Sequence, residues 1–463
     1  MRKLPFLAIA VLSAPLCAQD DPGPQVSTER MQDDMDTIVG FGTRHTLSTQ
    51  TDPERGIGAA VDWALAEFGR IGANCGDCLE VMPVGRTVEA DGRRIPQPTL
   101  IRNAVAIQRG SERPNEVIIV QGHYDSRVTD ALDGTSDAPG ANDDGSGSVM
   151  ILEAARILSQ KEYPSTIIYA LLSGEEQGLY GAGILADWVA EQGMTVKAVL
   201  NNDMIGNSCG SDGFCDPDHL RIFSEGPRAD LTDDIRASQR RFGGENDSPG
   251  RNLSRWLDDL AQDYPQGMQV RQIWRTDRMG RGGDQIPFLD RGYPAVRLTV
   301  SVEDYEHQHQ DLRTEDGIVY GDTPDELDWD YLTRAAQLNV RALDRLAQVP
   351  MPPVVEADAA VRVDTGLSWQ PVAGADSYRI RVRRTTDAGW LDEAPDGNNG
   401  IEWSPTVAAS AGAADGFSIA VPLRGDDWLF GVQSCNGEVC SPVSSAVPAG
   451  EFAPIAIAED DSA

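Results

Sequence analysis

Three short apolar runs, each closing on a turn rich in metal-binding side chains, constrain this chain more than any other feature. Residues 117–121 run into Gly122-His123-Tyr124-Asp125, residues 166–172 into Ser173-Gly174-Glu175-Glu176, and residues 196–200 into Asn201-Asn202-Asp203-Met204. The runs are short and rich in β-branched residues, as strands buried on both faces are. Between them, residues 147–158 carry apolar side chains at helical spacing, and residues 294–300 read as a further strand. This alternation predicts an α/β fold with a mixed, largely parallel central sheet flanked by helices. In open sheets of that kind, sites form beyond the carboxyl ends of the strands. Three strands would therefore deliver an imidazole and several carboxylates to one edge. A fourth group, Asn142-Asp143-Asp144-Gly145, stands in a Gly/Ser-rich loop just before a helix. Mixed nitrogen and oxygen donors suit zinc or a similar divalent ion. Singly, His123 reads as well as a strand-end histidine bonded to backbone, and Glu175-Glu176 as a solvated acidic turn. Their ordered recurrence at strand ends is what favours a metal site.

At 463 residues the chain is longer than one hydrophobic core usually serves. The Pro-rich seam Val349-Pro350-Met351-Pro352-Pro353 follows a helical stretch at 331–347 and divides it. Beyond the seam, short alternating strands such as 377–382 and 428–432 lie between Gly, Asp and Pro turns, the pattern of an all-β sandwich. Leu367-Ser368-Trp369, Ala375-Asp376-Ser377-Tyr378 and Trp428-Leu429-Phe430-Gly431-Val432 resemble a fibronectin type III domain. The expected organisation is a signal peptide over 1–18, a catalytic domain over 27–347 and a fibronectin type III-like β-sandwich over 348–463. The polar, Gly/Asp-rich segment from 208 to 275 breaks the strand–helix rhythm and reads as an insertion over the site.

With 73 Asp and Glu against 39 Lys and Arg, the net charge of -34 repels phosphate backbones and argues against nucleic acid as a partner. Met1-Arg2-Lys3, the apolar run 4–16 and the small exit Cys17-Ala18-Gln19 read as a secretory signal cleaved after Ala18; Leu16 is too bulky for a lipobox. The protein is thus expected to be exported, periplasmic or secreted, with no membrane insertion after cleavage. Six cysteines remain, in the close pairs Cys75/Cys78, Cys209/Cys215 and Cys435/Cys440, which predicts three local disulfides. Cys75-Gly-Asp-Cys78 has no companion CxxC to make it a zinc motif. Gly145-Ser146-Gly147 does not complete a nucleophilic-serine elbow, and there is no phosphate-binding loop.

A family resemblance rests on Gly122-His123-Tyr124-Asp125-Ser126, Pro139-Gly140-Ala141-Asn142-Asp143-Asp144-Gly145-Ser146-Gly147, Ser173-Gly174-Glu175-Glu176-Gln177-Gly178-Leu179 and Asn202-Asp203-Met204. Together they resemble the motifs of the co-catalytic two-zinc metallopeptidase family, which includes secreted bacterial aminopeptidases, glutamate carboxypeptidase II and the related glutaminyl cyclases. The resemblance runs over residues 35–347. It implies two Zn2+ ions, one on His123 and Asp203, the other on Glu176 and a late histidine, with Asp143 bridging them. It makes Glu175 the general base acting on a zinc-activated water, and Asp125 the carboxylate that orients His123. It also makes Asp143-Asp144 a candidate cis peptide and His45 a wall residue rather than a ligand. The late histidine is His309 if Gln308-His309 matches the Arg-Gln-His form of some relatives, or His307 if Asp311 is the downstream acid; His309 is the choice here. Gly283-Asp284-Gln285 departs from the Asp-His of many relatives, leaving Asp284 as a supporting group.

The expected activity is hydrolysis of peptide bonds in peptide or protein substrates, as an aminopeptidase releasing N-terminal residues. The alternatives are a carboxypeptidase or glutaminyl cyclase-like enzyme on the same fold, or an inactive extracellular binding protein. Cyclases of this group lack the first histidine as a ligand, so His123 argues against them.

Overall fold

The structure, a computed structural model, describes residues 21–411 and 416–455; the signal peptide expected over 1–18 lies outside the described residues. One mixed sheet organises the first three quarters of the chain. Its strands are β1 (Leu79–Val88), β2 (Thr99–Gln108), β3 (Arg113–His123), β4 (Ser165–Leu172), β5 (Thr195–Asn202), β6 (His219–Phe223), β7 (Gln269–Ile273) and β8 (Ala295–Val300), in spatial order β1-β2-β4-β3-β5-β8-β6-β7. The four central strands β4-β3-β5-β8 run parallel. β1, β2 and β6 enter antiparallel to their inward neighbours.

The central strands are mostly apolar because both faces are covered, although β5 and β8 each carry one buried cation, Lys197 and Arg297. Side chains alternate across the pleat. Ile118 and Val120 of β3 point into one core cluster, Val117 and Ile119 into the other. Helices α1 (Thr28–Val39), α2 (Gly56–Asn74), α3 (Ser146–Leu158), α6 (Pro249–Gln262) and α8 (Trp329–Gln348) pack on the first face. α4 (Tyr180–Glu191) and the single turn α7 (Ile286–Leu289) cover the other, and α5 (Asp233–Phe242) lies outside both clusters. Among the described residues no helix is long and apolar enough to cross a membrane.

The segment from 208 to 275 extends the sheet instead of only overlying the site: it supplies β6, β7, α5 and α6. Its polar composition hides a narrow apolar stripe. Leu253, Trp256, Leu257 and Leu260 recur at i, i+3, i+4 and i+7 and are all buried.

After α8 the chain forms two antiparallel sheets. One is built of β11 (Val355–Asp358), β12 (Thr365–Trp369) and β15 (Phe417–Val421). The other holds β13 (Ser377–Arg384), β14 (Thr406–Ala408), β16 (Trp428–Asn436), β17 (Val439–Cys440) and β18 (Ser444–Ser445). A small hairpin of β9 (Arg313–Glu315) and β10 (Ile318–Tyr320) precedes α8. Trp369, Tyr378 and Phe417 fill the space between the two later sheets, with Trp369 stacked on Phe417 at 5.1 Å. This β unit is bonded to α6 and the loop before it. Both carboxylate oxygens of buried Asp247 accept from Arg383, at 2.7 and 2.6 Å, and Trp256 Nε1 donates to the Cys440 carbonyl at 3.0 Å. The three local disulfides expected from the cysteine spacing are all present.

Candidate metal centre

β3, β4 and β5 are adjacent and parallel, so His123, Glu175-Glu176 and Asp203 emerge at one edge of the sheet. The fourth element is the turn Ala141–Gly145 that leads into α3, whose Asp143-Asp144 peptide is cis, as the resemblance implies. Two close approaches explain glycines here. A Cβ on Gly122 or Gly147 would meet the Asp144 carboxylate at 2.7 or 2.6 Å. That carboxylate fills the space instead, accepting from the amides of His123 (3.0 Å), Gly147 (3.0 Å) and Met204 (3.1 Å). It thus ties three of the four motifs together beneath the site.

At the centre the two oxygens of Asp143 face opposite ways. Oδ1 lies 2.9 Å from His123 Nε2, which is also 3.8 Å from Asp203 Oδ1. Oδ2 lies 2.9 Å from His309 Nε2, which is 3.0 Å from Glu176 Oε1. The structure therefore brings all five residues together, in two half-sites sharing one carboxylate. His309 adopts a left-handed backbone, φ 55°, an uncommon conformation for a residue with a side chain. His307 turns away, with Nδ1 2.7 Å from Asp304 and Nε2 3.4 Å from Glu326.

The charges are those of a cation site. His123, Asp143, Asp203 and Glu176 are all buried. Burial pushes the His123 imidazole down, but Asp143, Asp203 and Glu175 reverse this and hold it well above its ordinary value. Burial would raise Asp143, yet His309 and His123 hold it well below the usual carboxylate range. For Asp203 the same burial is overcome by Arg297 and His123, which bring it down to about 2. Glu175 differs: burial, with Glu176 and Asp203 adding, pushes it well above the usual range against the pull of His123. Glu176 Oε1 is buried without a hydrogen bond, although a histidine nitrogen lies 3.0 Å away. Nitrogen and oxygen donors within coordinating reach, in acid excess and with an orphaned oxygen, fit a divalent metal.

Asp125 acts differently from the expectation. The group at His123 Nδ1 is the Asp125 backbone carbonyl, at 2.9 Å, and the carboxylate stands 3.7 Å off. The carboxylate instead accepts from the amides of Glu175 (3.2 Å) and Glu176 (3.3 Å) and from Thr46 (2.7 Å). It therefore positions the two glutamates, and the carbonyl orients the imidazole. Asp284 is buried, with both oxygens unpartnered among the described residues, and burial pushes it up to about 8. Gln285 bonds to Asp277 and the Thr276 carbonyl, away from the metal-type residues. His45 is buried against the Ala131 carbonyl and Gln177 and is not among the residues lining the cavity.

Several neighbours were not anticipated. Arg297, fully buried, lies 2.8 Å from Asp203 Oδ1. Arg127 donates to Glu176 Oε2 at 2.8 Å and faces His309 Nδ1 at 2.6 Å. Asp322 accepts from the amides of Asn142 (2.8 Å) and Asp143 (2.7 Å) and so holds the shared carboxylate in place. Only Arg127, two residues beyond Asp125, lay close enough to a motif to be noticed; the others are remote in sequence.

Known proteins share this arrangement of elements. The model of peptidase family M28 matches residues 103–342, which run from within β2 into α8 and include all five metal-type residues of the centre. A probable zinc metalloprotease of Leptosphaeria maculans is 42% identical over 414 residues, covering 89% of this chain and 92% of that protein. Another, of Pyricularia oryzae, is 41% identical over 419 residues, covering 89% and 80%. Among solved structures, the LapA aminopeptidase of Legionella pneumophila superposes with a TM-score of 0.50 at 20% identity, over 75% of this chain and 80% of that one, a likeness of fold. With the family's match enclosing the whole site and relatives of this identity spanning nearly the full chain, the protein belongs to peptidase family M28.

Proposed function

We propose that this protein is an exported two-zinc exopeptidase that releases N-terminal residues from peptides. The observation that carries this reading is the Asp143 carboxylate, whose two oxygens lie 2.9 Å from two different histidines. His123 and Asp203 would hold one zinc, Glu176 and His309 the other, and Asp143 would span both. When bound, such a pair lowers the pKa of water from about 15.7 to about 7 and stabilises the developing oxyanion. The relatives' names, probable zinc metalloproteases, agree with zinc as the metal.

The chain's own groups do the rest. Glu175 lines the cavity, and its carboxylate makes no hydrogen bond or ion pair among the described residues. Held well above the usual carboxylate range by burial, it is suited to take the attacking water's proton and pass it to the leaving amine. Asp125 positions Glu175 and Glu176 through their amides, so adjacent acids keep separate tasks. The cavity measures about 190 Å³, below the roughly 300–1,000 Å³ typical of small-molecule pockets. That volume favours the end of a chain over a segment passing through. The two sheets after α8 offer no metal-type cluster among the described residues and are read as a fibronectin type III-like brace on α6.

A second reading, a carboxypeptidase on the same fold, draws on one observation: four arginines line the same cavity. Peptides with free and acetylated N-termini separate the two. Acetylation should abolish hydrolysis; acetylated peptides cut as fast as free ones would turn the reading to the carboxypeptidase.

A further inference from the structure

Helix α6 stands between the β unit and the cavity wall, and its polar side chains engage both. On the β side, Asn252 Oδ1 accepts from Trp390 Nε1 at 3.0 Å, and Asn252 Nδ2 donates to Ser445 Oγ at 2.9 Å. The same Oδ1 accepts from Arg255 Nη1 at 2.8 Å, while Arg255 Nε donates to the Ala388 carbonyl at 2.7 Å. On the other side, the guanidinium groups of Arg251 and Arg255, one helical turn apart, stand 5.0 and 5.5 Å from the centre of the Trp274 ring. Gln272 of β7 adds to this attachment. Its Oε1 accepts from Trp274 Nε1 at 3.3 Å and from Ser254 Oγ at 3.2 Å, and its Nε2 donates to Asp258 at 2.7 Å.

Trp274 opens the segment that leads to the cavity. Residues 274–283 form neither helix nor strand, and Arg278, Arg281 and Gly282 within them line the cavity. The far half of the segment is tied to the sheet. Gln285 donates to Asp277 at 2.6 Å and to the Thr276 carbonyl at 3.1 Å, and Arg297 donates to the Gly282 carbonyl at 3.1 Å. The near end is anchored by Trp274, which is 44% exposed, so the guanidinium groups beneath hold its ring more than burial does. That attraction is strongest for desolvated cations, and both arginines are buried. A leucine or methionine at 255 would fill the volume without the cost of desolvating a charge. The planar fork of arginine adds direction, fixing a carbonyl, an amide and a ring at once.

We propose that Arg255 is a positioning residue for the cavity wall, carrying the placement of the β unit through Trp274 to the segment of Arg278, Arg281 and Gly282. It touches neither the metal-type residues nor the cavity itself, and through it the β unit helps to shape the cavity. The kinetic consequence rests on the peptidase reading above; the placement of the segment does not.

In full-length, zinc-loaded protein, Trp274→Ala and Arg255→Ala should raise KM by about tenfold to a hundredfold, the scale of a displaced positioning group, with kcat and zinc content held. Trp274→Phe keeps a ring face and should restore most of the affinity. Hydrogen–deuterium exchange over residues 274–282 should rise in both alanine variants, while the turn 141–145 stays as it is. A smaller rise over 274–282 is expected in Trp390→Phe, which removes the N–H that Asn252 accepts. Trp274 is half-exposed, so Trp274→Ala should fold even if Arg255→Ala does not. Unchanged exchange over 274–282 in Trp274→Ala, or raised exchange with KM unmoved, would overturn the positioning role. Unchanged exchange there in Trp390→Phe would overturn the part given to the β unit. If the parent protein cuts no peptide, the peptidase reading falls and exchange over 274–282 alone decides.

Discussion

Glu175→Gln is expected to lower turnover by about 10²–10⁴-fold, the usual worth of a positioned general acid–base, while leaving the metal content unchanged. The change removes one proton-accepting oxygen and almost no volume. Among the described residues the Glu175 carboxylate makes no hydrogen bond or ion pair with the histidines, whereas Glu176 lies 3.0 Å from His309 Nε2. Glu176→Gln should therefore lower the metal content, and with it the activity. Turnover and bound metal measured on the same preparations separate the two residues. Loss of metal in Glu175→Gln with retention in Glu176→Gln would show the roles to be reversed.

The second large effect distinguishes two histidines only two residues apart. His309→Ala should empty one half-site and cost more than the roughly 10–100-fold typical of losing an outer hydrogen-bond partner of a metal ligand. His307→Ala should change metal content little, because its ring nitrogens face Asp304 and Glu326. Metal analysis and kcat/KM of the two variants check this; the opposite pattern would make His307 the ligand.

How much of this site was legible depended on how local each signal is. His123, Asp143, Glu176 and Asp203 each sit inside a motif where a strand or helix boundary and the functional residue adjoin. Parallel pairing of β3, β4 and β5 then carries them to one edge whatever the intervening chain does. His309 has no such anchor, since it stands in an irregular turn and is aimed by its own left-handed backbone. Arg297 and Asp322 meet the centre across 94 and 179 residues of sequence and carry no local pattern at all. Asp125 was identified as a partner of His123, but spacing alone does not say whether a carboxylate or a backbone carbonyl will reach the ring.

The fold was legible to a similar degree. Short runs of mostly apolar residues marked the central strands because both faces of the sheet are covered. In β13, Tyr378, Ile380 and Val382 alternate inward, which is why that strand was readable in the later sheets. Helix α6 was not foreseen, because its charged residues, buried Arg251 and Arg255 with the outer Asp258 and Asp259, dilute the average hydropathy of the segment. Its buried Leu253, Trp256, Leu257 and Leu260 show their order only when counted at helical spacing.

The shared carboxylate of Asp143 is the centre of the account, and metal content tests it most directly. Purified full-length protein should hold close to two zinc ions per chain by elemental analysis. It should lose hydrolysis on chelation and regain it with zinc or cobalt. Full hydrolysis by rigorously metal-free protein would contradict the account.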